Sequence, residues 1–149
     1  MAESLTAIEP QLVARLQSRL PQTGAGKVHV LTAAELANLS ESTQPSPAVH
    51  IVLSGMTVAE SRPDGKAARL TQTWLAVIAV RNLASGKTGA AARADAGQLA
   101  GTVAAALTGW QPLSARKPLQ LVTPPGAGYS AGYMYLPIAV ATDVLVQQE

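Results

Sequence analysis

The amino-acid sequence predicts an α+β fold in which a mainly antiparallel β-sheet has its helices packed on one face. The first observation is the order of the predicted elements, α-β-α-β-β-α-β-β, in which strands come in adjacent pairs between helices. Such an order favours antiparallel pairing with the helices on one side. The second is the length of 149 residues, with neither an internal repeat nor a linker-like boundary. One core commonly uses about 100–200 residues, so residues 1–149 are predicted to form a single domain.

The first helix is predicted over residues 4–20. Four apolar side chains recur there at four-residue steps, which places them on one helix face: Ile8, Leu12, Leu16 and Leu20. Thr6 and Glu9 have the spacing of a capping box, in which two side chains satisfy free backbone N–H groups of the first turn. Thr32 and Glu35 form a second such pair and predict a short second helix.

Runs rich in β-branched residues predict the strands. Residues 48–53 (AVHIVL) and 68–80 (ARLTQTWLAVIAV) are joined by a polar stretch with Arg-Pro-Asp-Gly turn chemistry, which predicts a hairpin with a long connection. Residues 119–122 predict a short strand and residues 129–146 a long one. Pro137 lies inside the last run. Because proline cannot donate to a β-ladder, it predicts an edge position or a bulge.

A long helix rich in alanine and glycine is predicted from Thr88 to Leu107. Five apolar side chains fall on one of its faces: Ala92, Ala96, Leu99, Val103 and Leu107. Gly97 and Gly101 each cost about 1 kcal/mol in a helix interior. Their presence indicates that the helix packs closely on the sheet or on another subunit.

The composition argues against several classes of function. The chain has no cysteine, so disulfides and thiolate metal sites are excluded. The net charge of +2 comes from scattered lysines and arginines, which does not indicate a nucleic-acid-binding surface. We expect no signal peptide, because the N-terminus MAESLTAIEP has no basic start followed by an apolar run. We expect no membrane span, because no run of about 18 apolar residues exists. The charged share of only 13% fits either a self-associating subunit or a coding bias toward small residues.

One motif has the context of a phosphate-binding loop. Ser85-Gly86-Lys87-Thr88 follows a predicted strand and opens a predicted helix. The complete pattern needs a glycine five residues before Gly86, and that position is Arg81. The main interpretation is therefore a polar loop whose Thr88 caps the long helix. A nucleotide-binding protein built on this loop is kept as an alternative, and otherwise we expect no cofactor.

No catalytic constellation is predicted. His29 and His50 each lie in a predicted strand without a carboxylate at metal-ligand spacing, so we expect structural histidines, although the two could still meet across the sheet. The nine carboxylates are dispersed, and several are explained by caps, turns or termini. Since no acid/base pair or nucleophile motif is found, we expect neither catalytic nor metal-binding residues and a protein that is not an enzyme.

The candidate interface residues are aromatic or charged. Trp110, Tyr129 and Tyr133 lie in or beside loops and are candidate anchors for a partner, or they cover the sheet of their own subunit. The loop over residues 54–69 adds four charged side chains: Arg62, Asp64, Lys66 and Arg69. This loop either projects toward a neighbouring protein or is a solvated hairpin tip.

Over most of its length the chain resembles the tail terminator proteins of long-tailed bacteriophages. The matching segments are the helix Ile8–Leu20, the strands PAVHIVLSG and QTWLAVIAVRN, the helix GAAARADAGQLAGTVAAALTGWQP, and the strands PLQLV and YSAGYMYLPIAVATDVLV. Residues 72–112 resemble the family most. The resemblance implies a fold like that of these proteins and of tail tube proteins, with helices packed on a sheet.

The resemblance also implies a structural protein of the virion, located in the tail neck and assembled in the host bacterial cytoplasm. Such proteins form hexameric rings on the head-proximal end of the tail tube, stop the addition of tube protein and provide the head-joining surface. The implied partners are further copies of the chain, the tail tube protein and the head–tail connector or stopper protein. Genome DNA would pass through the ring without specific contacts.

Sheet edges, long loops and the Ala/Gly helix are the contact surfaces that the resemblance implies. The first alternative is another neck or minor tail protein that joins head and tail.

Overall fold

The computed structural model describes residues 2–24, 26–81 and 90–149. Three helices are present in these ranges: α1 (Ile8–Arg19), α2 (Ala33–Leu36) and α3 (Ala90–Leu107), with a 3₁₀ turn at Glu41–Thr43. Within the same ranges, six strands form one sheet: β1 (His29–Thr32), β2 (Ala48–Ser61), β3 (Ala67–Arg81), β4 (Gln120–Val122), β5 (Gly128–Ser130) and β6 (Tyr133–Gln147).

The sheet has the strand order β1-β2-β3-β6-β4, and β5 pairs with the beginning of β6. β1 and β2 run parallel, whereas the other described pairs are antiparallel. The two long helices α1 and α3 contact the sheet and each other. The predicted fold class, an α+β fold with a mainly antiparallel sheet and packed helices, is confirmed.

The core lies between the sheet and the two long helices. The α1 side chains that the four-residue spacing places on one face are buried: Ile8, Leu12, Leu16 and, just beyond the helix, Leu20. From α3, Ala96, Val103 and Leu107 are buried against the same face of the sheet, where Trp74 and Ile78 are fully buried. Burial of each large apolar side chain stabilises the fold by about 1.5–3 kcal/mol.

The two glycines of α3 lie on its exposed side. A Cβ atom at Gly97 or Gly101 would meet nothing within 4 Å. Close packing of these glycines on the sheet of their own chain was therefore a wrong expectation, and contact with another subunit stays a prediction. Thr88 and the side chain of Ala92 lie outside the described residues.

One of the two predicted capping boxes forms. The Glu35 carboxylate accepts hydrogen bonds from the backbone N–H and the hydroxyl of Thr32, at 3.1 and 3.2 Å. The Thr6–Glu9 box was a wrong prediction, because α1 begins at Ile8 and its N-terminal capping residue makes no side-chain bond. The backbone N–H and the hydroxyl of Thr6 bond to the Ser4 hydroxyl instead, so Thr6 belongs to the turn before the helix.

The prediction of a long connection after Leu53 was also wrong. β2 continues to Ser61 and β3 begins at Ala67, so most of the predicted loop is a paired hairpin with a short tip. Solvent surrounds this part of β2, where residues 54–61 are all exposed. The sequence therefore lacks the apolar alternation that marks a half-buried strand. Residues 54–66 are called the arm below.

The run over residues 129–146 is two strands instead of one long strand. Ala131 and Gly132 have positive φ angles of 50° and 81° and form the tight turn between β5 and β6. Two consecutive positive φ values are typical of the type I′ hairpin turn. Pro137 pairs with β3, while β4 and β5 pair with β6 on either side of it along the strand. The predicted edge position of Pro137 is thus confirmed locally.

Candidate interaction surfaces

The tip of the arm is ordered by its own hydrogen bonds. The Arg62 guanidinium contacts the Asp64 carboxylate at 2.9 Å, and the same carboxylate accepts a bond of 2.9 Å from the Lys66 backbone N–H. Gly65 has a φ of 74°, which suits the tight turn at this point. The Gln148 backbone N–H donates to the Lys66 carbonyl at 2.7 Å. The tip therefore presents three charged side chains on a defined backbone.

The arm also exposes apolar surface that the sequence did not single out. Val58 is 65% exposed and Met56 42% exposed. β1 pairs with β2 only from Ala48 to Ile51, so the outer edge of the arm has no strand partner among the described residues. The register shifts at two points along this stretch, and such bulges hinder pairing with a further strand. The arm is therefore better suited to contacts through side chains than to extension of the sheet.

Arg69 is bound within its own chain. Its guanidinium contacts the Asp143 carboxylate at 2.6 Å, and the Thr71 hydroxyl donates to the same carboxylate at 2.8 Å. Asp143 is 2% exposed, and Lys117 lies 3.6 Å from it. Burial alone would raise the pKa of Asp143, but the hydrogen bonds from Thr71 and Arg69 and the nearby positive charges outweigh burial and lower it. Arg69 thus joins β3 to β6 before any partner is present.

Trp110 links the two long helices. Gly109 ends α3 with a φ of 78°, and the half-buried Trp110 ring follows directly. The guanidinium of Arg15 lies over this ring at 5.3 Å, and its Nε donates to the Ala106 carbonyl at 2.9 Å. A cation–π contact at a surface contributes about 0.5–1 kcal/mol. Part of the Trp110 ring remains accessible for a partner, so its interface role stays a prediction.

The two tyrosines that flank the β5–β6 turn differ in exposure. Tyr129 is 58% exposed on β5 and stays a candidate anchor. Tyr133 is only 1% exposed, and its hydroxyl donates to the Gln44 carbonyl at 2.7 Å and accepts a bond from Arg81 at 2.8 Å. The expected role of the Tyr133 side chain as an interface anchor is therefore withdrawn. It covers the sheet of its own subunit.

The predicted interface residues do not form one patch. The arm tip lies beside the end of β6, because Ala67 pairs with Gln147. Tyr129 lies at the opposite end, beside Tyr133 and Met134. Tyr133 and Gln147 are 14 residues apart on one strand, which corresponds to about 46 Å at about 3.3 Å per residue. The structure therefore offers at least two separate exposed regions.

A recess of about 200 Å³ lies between the segment after α2 and the sheet. Its lining comprises Leu36, Leu39, Ser40, Glu41, Gln44, His50 and Tyr135. The Tyr135 hydroxyl donates to the Glu41 carboxylate at 2.7 Å, and burial together with this bond raises the pKa of Tyr135 to about 12. Leu39 is 40% exposed at the rim. The recess thus combines apolar walls with one carboxylate.

His50 is buried, and the structural role expected for it stays a prediction. It is 7% exposed, its Nε2 has no hydrogen-bond partner, and burial lowers its pKa. Its ring lies 6.2 Å from that of Tyr135. His29 pairs with Ala48 and His50 with Leu31, so the two histidines do not face each other directly. Among the described residues, no group of three or more histidines and carboxylates is placed to hold a metal ion.

The loop after Trp110 holds a residue that the sequence reasoning missed. Leu113 is 94% exposed although Pro112 and Ala115 on either side of it are buried. The side-chain amide of Gln11 makes two hydrogen bonds to Ser114, donating to the hydroxyl at 2.7 Å and accepting from the backbone N–H at 3.0 Å. The Ala115 N–H donates to the Pro112 carbonyl at 3.0 Å. An apolar residue within the short polar segment QPLSAR was the signal available in the sequence.

The Ser85-Gly86-Lys87-Thr88 motif lies outside the described residues. Arg81, the residue that departs from the phosphate-loop pattern, ends β3 and donates to the Ser42 carbonyl at 3.0 Å. In the ranges that are described, no helix is both long and apolar enough to cross a membrane.

Comparison with known protein families identifies the family of the chain. The model of a protein family described as "Phage tail terminator protein" matches residues 1–148. No curated protein sequence matches the chain.

Proposed function

The chain belongs to the phage tail terminator protein family, and we propose that it caps the head-proximal end of the tail tube. Membership makes it a structural protein of phage tail assembly and a component of the virion. The cap ends polymerisation of the tube protein and provides the surface to which the head connector or stopper binds. The observation that carries this proposal is the family match over residues 1–148, essentially the whole chain.

The working form of the cap is a ring of six copies, assembled in the host bacterial cytoplasm. A head-to-tail ring needs two different complementary patches on every subunit. The arm tip and Tyr129 lie about 46 Å apart along β6, which leaves room for separate contacts with ring neighbours and with the tube. The activity is binding alone, with neither a cofactor nor a catalytic residue. Genome DNA passes through the ring without specific contacts.

The arm is the part of the subunit that meets the tube protein. It pairs with β3 on one side only, and it exposes Met56 and Val58 beside the charged tip. Apolar side chains that project from an ordered backbone cost little entropy when they become buried in an interface. This arrangement supports a contact in which the arm packs on the last ring of tube subunits.

The test is an elongation assay. Purified tube protein is allowed to polymerise, this protein is added at increasing concentration, and tube lengths are measured by electron microscopy. We expect shorter tubes that no longer grow when fresh tube protein is supplied. The variant Met56→Asp/Val58→Asp should stop fewer tubes, whereas Arg19→Asp, on the last turn of α1, serves as the matched surface control. Unchanged growth at saturating protein would rule out capping, and binding to the connector alone would favour another neck protein.

A further inference from the structure

The loop that carries Leu113 is fixed by hydrogen bonds and keeps this side chain in solvent. The Gln11 side chain fixes Ser114 through two bonds, and the Arg116 backbone N–H donates to the Asp143 carbonyl at 2.8 Å. A large apolar side chain that is 94% exposed on such a backbone has lost much of its freedom before binding. Burial of a preorganised side chain in a partner therefore costs less than ordering a mobile one.

The recess between the segment after α2 and the sheet has the size and lining for such a side chain. Its volume of about 200 Å³ corresponds to roughly seven water molecules at about 30 Å³ each, which leaves room for a four-carbon side chain. Leu36 and Leu39 supply apolar walls. The floor holds His50, whose neutral ring favours an uncharged guest.

The charges beside the two features are complementary. Arg116 follows Leu113 by three residues and is exposed, and it forms no ion pair within the described ranges. Glu41 lies in the lining of the recess, where its carboxylate accepts a bond from Tyr135 and contacts no cation in the described part of the chain. A leucine with a nearby cation thus matches a recess with a nearby anion, which favours one orientation of docking.

Leu113 is called the knob below, and residues 112–116 around it the knob loop. The knob and the recess of one chain cannot reach each other. The knob loop is tied to Asp143, and Tyr135 lines the recess, so the two are eight residues apart on β6, about 26 Å. Gln11 of α1 holds the knob loop on the helix side of the sheet. His50 alternates with the core residues Val49 and Ile51, so the recess lies over the opposite face. Two separate patches that complement each other form a head-to-tail contact between copies.

We propose that Leu113 of one copy inserts into the recess between Leu36 and Leu39 of the next copy, with Arg116 facing Glu41. This contact rests on the proposed ring and names the surfaces that form it. It also assigns separate surfaces to the two kinds of partner, since the arm is left free for the tube protein.

Disulfide trapping tests the contact, because the chain has no cysteine of its own. The variants Leu39→Cys and Leu113→Cys are purified separately, mixed and oxidised. We expect a linked pair of twice the 15.3 kDa chain mass only in the mixture, and a ladder of larger products from the double variant. Val58→Cys, on the exposed arm, replaces Leu113→Cys in the control mixture and should give no linked pair.

Charge reversal supplies a second readout that does not depend on cysteines. Arg116→Glu and Glu41→Arg should each raise the concentration needed for half-assembly by about tenfold, and the double reversal should restore it. The contact is wrong if microscopy shows rings but no disulfide forms between positions 39 and 113. It is also wrong if a disulfide forms between two copies of position 113. Either result leaves the capping proposal intact. A protein that stays monomeric at every concentration would also overturn the contact, while the elongation assay decides on capping separately.

Discussion

At the scale of single residues, the buried carboxylate of Asp143 joins β6 to β3. It is almost completely buried, and three side chains from β3 and the loop before β4 satisfy it. Asp143→Asn removes the charge and keeps the shape. We expect a loss of about 1–3 kcal/mol in the free energy of unfolding, because bonds to a charged group are replaced by weaker ones. Urea denaturation at pH 7 measures this loss.

Asp64→Asn at the exposed arm tip is the control for this substitution. It also removes one carboxylate from an ion pair, but solvent screens the pair, and the expected change is within about 0.5 kcal/mol. Equal losses for the two variants would contradict the role given to Asp143. The pH dependence gives a further check. Because the folded state lowers the pKa of Asp143, its contribution is present above the ordinary value of 3.8 and is lost as the pH falls through the folded-state pKa.

His50 predicts a second dependence on pH, closer to neutrality. Burial lowers its pKa below 6.5, so the folded state favours the neutral ring. The unfolded chain therefore takes up the proton first as the pH falls, and stability present above pH 6.5 is lost as the pH approaches the folded-state value. The expected slope is at most about 1.4 kcal/mol per pH unit. Melting temperatures between pH 7.5 and 5 should show it.

His50→Leu should flatten this slope, since it removes the titrating group. His29→Gln is the matched control and should keep the slope, because His50 remains in place. If the His50→Leu protein loses stability with acid as steeply as the parent, the buried ring is not the cause. Neither substitution alters the residues that hold the arm or the knob loop.

At the scale of elements, α3 offers a test of why its exposed side contains glycine. Gly97→Ala and Gly101→Ala fill open space and raise helix propensity, so each should stabilise the subunit by about 0.5–1 kcal/mol. The readout is the melting temperature at a concentration where light scattering shows monomers. A fall in melting temperature would mean that the glycines serve the fold of the single chain.

The elements also show what sequence patterns can predict. The buried faces of α1 and α3 could be predicted from the spacing of their apolar residues, because each helix has one side in the core and one in water. The outer half of β2 was missed because residues 54–61 are exposed and leave no alternation. The β5–β6 turn was missed because Ala131, at its positive φ, is not a typical turn residue.

The candidate surfaces were predicted less completely than the fold. Charged residues at a turn and aromatic residues near loops mark exposed places in general, and they led to the arm tip and Tyr129. Whether a tyrosine is buried depends on distant residues such as Gln44 and Arg81, which is why Tyr133 was misplaced. Leu113 was missed for the same reason, since the bonds that hold it come from Gln11 on another element.

At the scale of the whole molecule, the fold separates its tasks by region. The two long helices and one sheet face form the core, the arm forms an outer edge of the sheet, and the recess and the knob loop lie on different faces. A subunit with this division can bind a neighbour and a tube at the same time. We therefore expect variants of the knob to lose ring formation and variants of the arm to lose tube binding, each with the other property retained.

The combined behaviour of Leu113→Asp and Val58→Asp checks this division. Light scattering after size exclusion should show a smaller mass for Leu113→Asp and the parent mass for Val58→Asp. Co-sedimentation with preformed tubes should show weaker tube binding for Val58→Asp and unchanged tube binding for Leu113→Asp. Loss of both properties in either variant, with the fold intact by circular dichroism, would contradict separate surfaces.

The central claim is that this protein closes one end of the tail, and its position on finished tails tests that claim most directly. Tails are isolated from phage that carry an epitope on this chain, labelled with antibody and imaged by negative-stain electron microscopy. The account predicts label at the head-proximal end alone, with a six-fold ring in end views. Label along the tube or at the opposite end, or tails without label, would contradict it.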